Sequence, residues 1–372
     1  MRIGILGIRY PKGIGIIAEE YARLFESRGH QVYFLSYPLS HRKPCLTTGD
    51  WKRNNVTIID TFQRSTVKIS DDIMREWIVA KSIEVLFTIE QPNNLNTFSI
   101  CKSLNIPTIN FVDIEMFDPV LKDSYKDCTI FLSPTQLGYD KLFEYGIKNV
   151  ALCKYCANPA HFPYKLRKVN SGENIELTHH SGWGGAEYKN YGGRKGTAAT
   201  LEAFVKANLL NATLSIITQK RWKSYPQQVQ AMAASRKNIK VFEVNDTQAV
   251  YNASAYKMGH VAIQNSLWEG LGMTYIEAMV SGMPTITTNA LPMKEFVEHG
   301  KTGLLVDADI VSNDKVPIAI VKIDKLVEAI KYFANDTSNV EKMSVETEKF
   351  RNNFNNYNDS IVALFDRIGL RL

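Results

Sequence analysis

Short apolar runs rich in β-branched residues recur along this 372-residue chain, and amphipathic stretches separate them. No other feature narrows the fold as much. In the first half the runs are RIGILG, QVYFLSY, NVTIID, VLFTIE, PTINFV, CTIFLS and NVALCKY; in the second they are IELTHH, LSIITQK, IKVFEV, GHVAIQN, PTITTN and GLLVD. Strands that read as near-continuous apolar runs belong to a parallel sheet covered on both faces. Alternation with helices implies an open, doubly wound α/β sheet. The clearest helix covers Ile14 to Arg28, with Ala18, Tyr21, Ala22 and Phe25 on one face and Gly29 as its stop. Thr197–Leu209 and Thr274–Ser281 read as helices in the second half. The pattern predicts two Rossmann-like domains in tandem, residues 1–165 and 166–345, with the border in the polar stretch YKLRKVNSGE. A C-terminal helix in 346–372, with its stripe Ile361, Leu364, Phe365 and Ile368, is expected to pack back on the first domain.

Composition excludes several classes. At 45% hydrophobic and 22% charged, the chain is too apolar for disorder. Its 22 Gly and 13 Pro are too few for a collagen-like or low-complexity protein. No apolar run reaches the length of a membrane span. The N-terminus enters a strand pattern directly, which argues against a signal peptide. Five Cys form no disulfide framework and fit a reducing compartment. A cytoplasmic protein is expected. The 44 Lys+Arg against 38 Asp+Glu leave +6, which permits an anionic partner without requiring one.

Open α/β sheets bind ligands at the carboxyl ends of their strands. The most informative such loop is SLWEGLGMTYIEAMVSGMP, Ser266 to Pro284. It leaves the strand HVAIQN, passes Gly270 and Gly272, and enters a helix at Thr274. The glycines let the backbone approach a ligand, and the helix start offers unpaired N–H groups to an anion such as a diphosphate. Glu269 and Glu277 bracket the loop and suit hydroxyl groups, Glu269 of a sugar and Glu277 of a ribose. A purely structural reading stands beside this one: Thr274 and Glu277 fit a capping box, and the glycines fit a turn.

The segment resembles the C-terminal signature of retaining, nucleotide-sugar-dependent glycosyltransferases of the GT-B fold, the large group 1 family with its paired glutamates. Ser266, Glu269, Gly270, Leu271, Gly272, Glu277, Ala278, Met279, Gly282 and Pro284 stand in register with that signature. TITTNALPMKEFVEHGKTGLLV extends the likeness through Glu295, Gly300 and Gly303. The resemblance implies two doubly wound domains facing a central cleft. It implies Glu269 by the donor sugar, Gly270, Leu271, Gly272, Met273 and Thr274 on sugar and diphosphate, and Glu277 on the ribose. The donor is expected to be a UDP- or GDP-sugar.

A second anion element is HHSGWGGAEYKNYGGRKGTAATLEAF, from His179 to Phe204. The family has Gly-Arg, a spacer and Lys-Gly here, whose cations neutralise the diphosphate. Lys195-Gly196 matches the second pair. Gly182 is followed by Trp183, so the first Arg is absent, and Arg194 or the backbone of Gly184 and Gly185 is expected to replace it. In the first half, Gly13 and Gly15 resemble the family's glycine-rich loop near phosphate and acceptor. Val112 occupies the place where members often carry His, followed by Asp113. Asp113, Glu115 and Glu90 end strands and are candidates to face the acceptor. Asn158 and Phe162 stand where members carry Asp and Phe.

Other patterns are weaker. Cys153-x-x-Cys156 has no second pair for zinc. His179 and His180, adjacent on a strand, point to opposite faces. Asp307-Ala308-Asp309 reads as a turn. No metal and no cofactor is expected, the nucleotide sugar being the donor substrate.

The resemblance implies glycosyl transfer to an acceptor hydroxyl with retention, in glycan, lipopolysaccharide or glycolipid assembly. The basic stretch His41–Asn55, with Arg42, Lys43, Trp51, Lys52 and Arg53, is a candidate to hold an anionic acceptor. One such acceptor is a lipid-phosphate-linked glycan met by peripheral contact with the cytoplasmic membrane face. Another is nucleic acid with a hydroxylated base, Arg221-Trp222-Lys223 extending the surface. A solvated loop fits equally well. Two other classes are a nicotinamide-dependent oxidoreductase and a non-catalytic sugar-nucleotide binder. The first needs a ribose-binding acid about 20 residues after its glycines, where the chain has Ser36-Tyr37-Pro38. The second has no need of both glutamates.

Overall fold

The computed structural model describes the chain except for residues 12, 39–44, 60–67, 183–192, 245–255, 257 and 314, and except for the side chains of 50 and 313. It divides into two compact units, Met1–Lys154 with Asn356–Leu372, and Tyr155–Asn355.

The first unit is built on a parallel sheet. Its strands are β1 (Arg2–Leu6), β2 (Gln31–Ser36), β3 (Val56–Ile58), β4 (Val85–Ile89), β5 (Thr108–Phe111), β6 (Ile130–Ser133) and β7 (Val150–Leu152), in the order β3-β2-β1-β4-β5-β6-β7. The amphipathic stretch after β1 is α1 (Gly13–Ser27), ended by Gly29 at φ 82°. Gly15 within it is a packing requirement, since a Cβ there would lie 2.0 Å from the Tyr10 carbonyl oxygen. α2 (Asp71–Ala80), α3 (Asn96–Ser103) and α4 (Gln136–Glu144) follow β3, β4 and β6. The buried face of α1 sets Tyr21 4.5 Å from Phe87 of β4. The same face meets the end of the chain: Phe25 lies 5.5 Å from Phe365 and Tyr21 6.1 Å from Tyr357.

The second unit has its own parallel sheet: β8 (Ile175–Gly182), β9 (Ala212–Thr218), β10 (Ile239–Glu243), β11 (Val261–Gln264), β12 (Thr285–Thr288) and β13 (Gly303–Val306), ordered β10-β9-β8-β11-β12-β13. Its helices are α5 (Thr197–Ala207), α6 (Gln227–Ala234), α7 (Met273–Val280), α8 (Ile323–Asn335) and α9 (Ser338–Phe350); α10 (Asn353–Arg367) leads back to the first unit.

Two expectations change. Asp307–Asp309 is not a simple turn: β14 (Ala308–Asn313) starts there and pairs antiparallel with β15 (Pro317–Val321). The polar stretch Tyr164–Glu173 does not mark the border, which falls at Lys154/Tyr155. That stretch is anchored inside the second unit. The Tyr164 hydroxyl donates to the Ser344 carbonyl (3.2 Å) and the Arg167 N–H to Ser344 Oγ (2.9 Å). The buried Arg167 guanidinium donates to the carbonyls of Gly259, Tyr256 and Ser281.

In each sheet the strand order reverses direction once, between β1 and β4 and between β8 and β11. Loops leaving such neighbouring strands diverge and open a crevice, the usual ligand position in this architecture.

Candidate active site

At the reversal point of the second sheet, β11 pairs directly with β8. The segment after β8 enters α5 through Arg194, Lys195 and Gly196. The segment after β11 enters α7 through Ser266 to Gly272. Strand order therefore brings together two loops that lie far apart in sequence. They are stitched by backbone and amide bonds. The Leu267 N–H donates to the Arg194 carbonyl (2.8 Å), Asn265 Nδ2 to the Gly196 carbonyl (3.3 Å), and Thr200 Oγ1 to Asn265 Oδ1 (2.6 Å). The hairpin adds a brace, the Ala319 N–H of β15 donating to the Leu267 carbonyl at 2.8 Å.

The glycines permit this closeness. Gly196, at φ 72°, is the residue before α5, and a Cβ on it would sit 2.3 Å from the Asn265 carbonyl oxygen. Gly272, at φ 83°, holds the same position before α7. Neither helix start is capped by a side chain.

The charged centre lies where the loops meet. Lys195 Nζ donates to Glu269 Oε1 at 2.5 Å, and Ser266 Oγ donates to the same oxygen at 2.5 Å. Arg194 reaches the other carboxylate oxygen at 3.9 Å, with its guanidinium 5.9 Å from the Trp268 ring centre. Glu269 is 3% and Lys195 8% exposed. Burial pushes the Glu269 carboxyl up; Lys195, Arg194 and the Ser266 hydroxyl outweigh it and hold the group below its ordinary value. Glu269 is thus an anion in a dry setting with two cations within reach.

Glu277 sits on α7, and the capping-box geometry is not present: the residue before the helix is Gly272, and Thr274 already lies inside it. Tyr256 approaches Glu277 instead. Its buried hydroxyl lies 2.9 Å from Glu277 Oε2 and 3.0 Å from the Thr274 carbonyl. Burial first, then the neighbouring carboxylate, raises the Tyr256 phenol well above its ordinary value, so it stays a donor. His180, at the end of β8, stacks on the Tyr256 ring at 4.4 Å. His179 faces elsewhere, pairing with the Ile263 carbonyl (2.8 Å) and Thr197 Oγ1 (3.0 Å). Burial pushes the two imidazoles down to about 4 for His179 and about 3 for His180.

Of the sequence-predicted residues, Lys195, Arg194 and Glu269 come together, while Gly270, Leu271 and Gly272 form the approach to α7 and Met273 and Thr274 begin it. Gly184 and Gly185 lie outside the described residues. Gly13, Gly15 and Asp113 belong to the first unit. Tyr256 carries no motif and was not singled out from sequence.

The basic stretch 41–55 reads differently in three dimensions. Residues 41–44, with Arg42 and Lys43, lie outside the described residues. Trp51 is buried, and Arg53 pairs with Glu19 (2.8 Å) and Glu26. The fully buried Arg9 pairs with the same Glu19 at 2.6 Å and donates to the Trp51 carbonyl. Trp51 and Arg53 are therefore internal supports rather than an acceptor surface; Lys52 remains exposed.

Two parallel-sheet units of this topology define a GT-B protein. Sucrose-phosphate synthase from Thermosynechococcus elongatus superposes with a TM-score of 0.73 at 13% identity, covering 99% of each chain. Anabaena HepE in complex with UDP and glucose gives 0.68 at 12% identity, covering 99% of this chain and 100% of that one. Residues 188–350 match the model for glycosyl transferases group 1. The second half of the chain thus matches the group 1 glycosyltransferase model, and the chain as a whole has the GT-B fold. A GDP-mannose-dependent alpha-(1-6)-phosphatidylinositol monomannoside mannosyltransferase of Mycobacterium tuberculosis is 40% identical over 57 residues, a stretch that is 15% of each protein. Among the described residues no helix is long and apolar enough to cross a membrane.

Proposed function

We propose that the protein transfers a glycosyl group from a nucleoside-diphosphate sugar to an acceptor hydroxyl with retention of configuration, in glycan, lipopolysaccharide or glycolipid assembly. The observation that carries this reading is the buried Lys195–Glu269–Arg194 centre beside two uncapped helix starts. A departing diphosphate needs fixed positive charge, and an oxocarbenium-like sugar needs a held anion nearby. Lys195, Arg194 and the first N–H groups of α7 supply the former; Glu269 supplies the latter through a sugar hydroxyl. Glu277, oriented by Tyr256, takes the ribose hydroxyls. The bond from the anomeric carbon to phosphate oxygen breaks and the bond to the acceptor oxygen forms. The acceptor proton goes to the leaving diphosphate. With the positive charge drawn from side chains and helix ends, the reaction calls for no metal or cofactor. The family match and the HepE complex with UDP and glucose support a nucleotide-sugar donor; the short mannosyltransferase match adds GDP-mannose as a candidate. A cytoplasmic location, with peripheral membrane contact for a lipid-linked acceptor, belongs to the same reading.

A thermal-shift screen against UDP, GDP and their sugars identifies base and sugar together. Lys195→Ala and Glu269→Ala are expected to lose transfer by a hundredfold or more, on the order of one lost preorganised donor. NMR of the product anomer reads retention. Near-normal turnover in either variant sinks the assignment.

A further inference from the structure

The strands β8 and β11, whose loops build the charged centre, are in register over only two residue pairs, Leu177 with Val261 and Thr178 with Ala262. Just beyond them a side chain joins the elements. His179 Nδ1 lies 2.8 Å from the Ile263 carbonyl of β11, and its Nε2 lies 3.0 Å from Oγ1 of Thr197, the first residue of α5. One imidazole therefore touches the strand that leads to Glu269 and the helix that follows Lys195. The proton positions come from donor counting. A carbonyl only accepts, so Nδ1 carries a proton. Burial keeps the ring neutral, pushed down to about 4. A neutral imidazole has a single N–H, so Nε2 accepts and the Thr197 hydroxyl donates to it. Thr197 then has no proton left, and Ser181 Oγ donates to Thr197 Oγ1 at 2.7 Å. By the same count the Tyr225 hydroxyl donates to Ser181 Oγ (2.5 Å), and Thr218 Oγ1 donates to the Tyr225 oxygen (2.8 Å). All five side chains are buried. The chain of bonds runs one way, from Thr218 on β9 to the carbonyl of β11, and each link orients the next.

We propose that His179 is a positioning residue for glycosyl transfer: it ties the helix start that follows Lys195 to the strand that leads to Glu269, and the hydroxyl chain behind it fixes its tautomer. His179 touches no substrate. It acts through Thr197, two positions after Lys195, and through Ile263, six before Glu269. Thr200 reinforces the same corner, its hydroxyl bonding Asn265 Oδ1 while Asn265 Nδ2 bonds the Gly196 carbonyl. A Lys195 released from this geometry would meet the leaving diphosphate off its mark. The loss then falls on the step in which charge develops on that group, so turnover responds more than donor binding. The proposal rests on the glycosyltransferase reading and adds to it a residue that lies behind the charged centre.

The test sets Thr197→Val, which keeps the shape and removes the hydroxyl, against Thr197→Ser, which keeps the hydroxyl. Turnover of the full chain is read as UDP released from UDP-glucose or GDP released from GDP-mannose, per folded molecule. Thr197→Val is expected to lower kcat about ten- to hundredfold, the reach of a small misplacement at a reacting centre. Its donor KM should stay within about twofold of wild type, as for a group that acts mainly in the transition state. Thr197→Ser should recover most of kcat. A hydroxyl with a merely structural role would lower the melting temperature of Thr197→Val and leave kcat per folded molecule intact. Nitrogen–proton correlation NMR on histidine-labelled protein should show the ring whose signals move in Thr197→Ser as a neutral Nδ1–H imidazole. Wild-type kcat in Thr197→Val, an equal loss in Thr197→Ser, a change confined to donor KM, or an Nε2–H tautomer overturns the proposal. A wild-type chain that releases neither UDP nor GDP counts against the donor reading instead, so the two failures are distinguishable.

Discussion

Tyr256 has one hydroxyl proton and two acceptors for it, Glu277 Oε2 and the Thr274 carbonyl. Both belong to the start of α7, so the phenol fixes the carboxylate relative to the helix. Tyr256→Phe retains the ring against His180 and removes only this link. The donor KM is expected to rise about tenfold, the worth of one hydrogen bond to a charged group, with turnover at saturating donor little changed. Steady-state kinetics reads both; a fall in kcat at constant KM would refute the assignment. The buried imidazoles make a second residue-scale prediction. Both are pushed below the ordinary His value, His179 to about 4 and His180 to about 3. Between those values and about 6.5 the unfolded chain binds more protons, so their contribution is whole above about pH 6.5 and declines as pH falls. Each adds a slope of about 1.4 kcal/mol per pH unit within its window. His180→Phe should flatten the fall in melting temperature between pH 6.5 and 5, since His180 Nε2 has no hydrogen-bond partner among the described residues. An unchanged pH profile would remove His180 from the account.

Elements bring the centre together. Lys195 and Glu269 are 74 positions apart and meet because β8 and β11 are neighbours at the reversal of strand order. The close approach runs through Gly196. Gly196→Ala would force a left-handed backbone on a residue with a Cβ and drive that Cβ onto the Asn265 carbonyl. A destabilisation of about 1–3 kcal/mol is expected, read as a lower melting temperature, with loss of transfer greater than loss of fold. Much of this was legible beforehand. The glutamate–glycine loop is contiguous, so its pattern survives in one dimension, and each parallel strand shows as an unbroken apolar run. The hairpin β14–β15 was not legible, because its first strand is half exposed and polar, Ile310 and Val311 facing outward. Tyr256 was silent for a related reason. Its role comes from a contact with a residue 21 positions later, and nothing local marks it. The basic stretch 41–55 misled because side-chain identity does not reveal that Glu19, on α1, neutralises Arg53.

At the scale of the molecule, the +6 excess is not one surface. Arg194 and Lys195 surround a carboxylate in the second unit, and Arg9 and Arg53 surround another in the first. The first unit is also discontinuous, because Asn356–Leu372 belongs to it. Tyr357, Ile361, Leu364 and Phe365 are buried there. Each such side chain is worth roughly 1.5–3 kcal/mol of burial, so together they approach the stability of an ordinary domain. Deleting residues 356–372 is expected to abolish the first unit's calorimetric transition and preserve nucleotide-dependent stabilisation of the second. A single unaltered transition would contradict the division.

That return of the chain also orders its biosynthesis. A ribosome releases the segment up to Lys154 first, yet the helix that completes its core emerges only after the whole second unit. The second unit can close on itself in the interval, since its residues are uninterrupted, and domains generally fold as units during synthesis. A chain cut short before Asn356 would carry a formed second unit and an unfinished first unit, an exposed substrate for proteolysis. Synthesis of Asn356–Leu372 thus supplies the final folding step of the unit that was begun first.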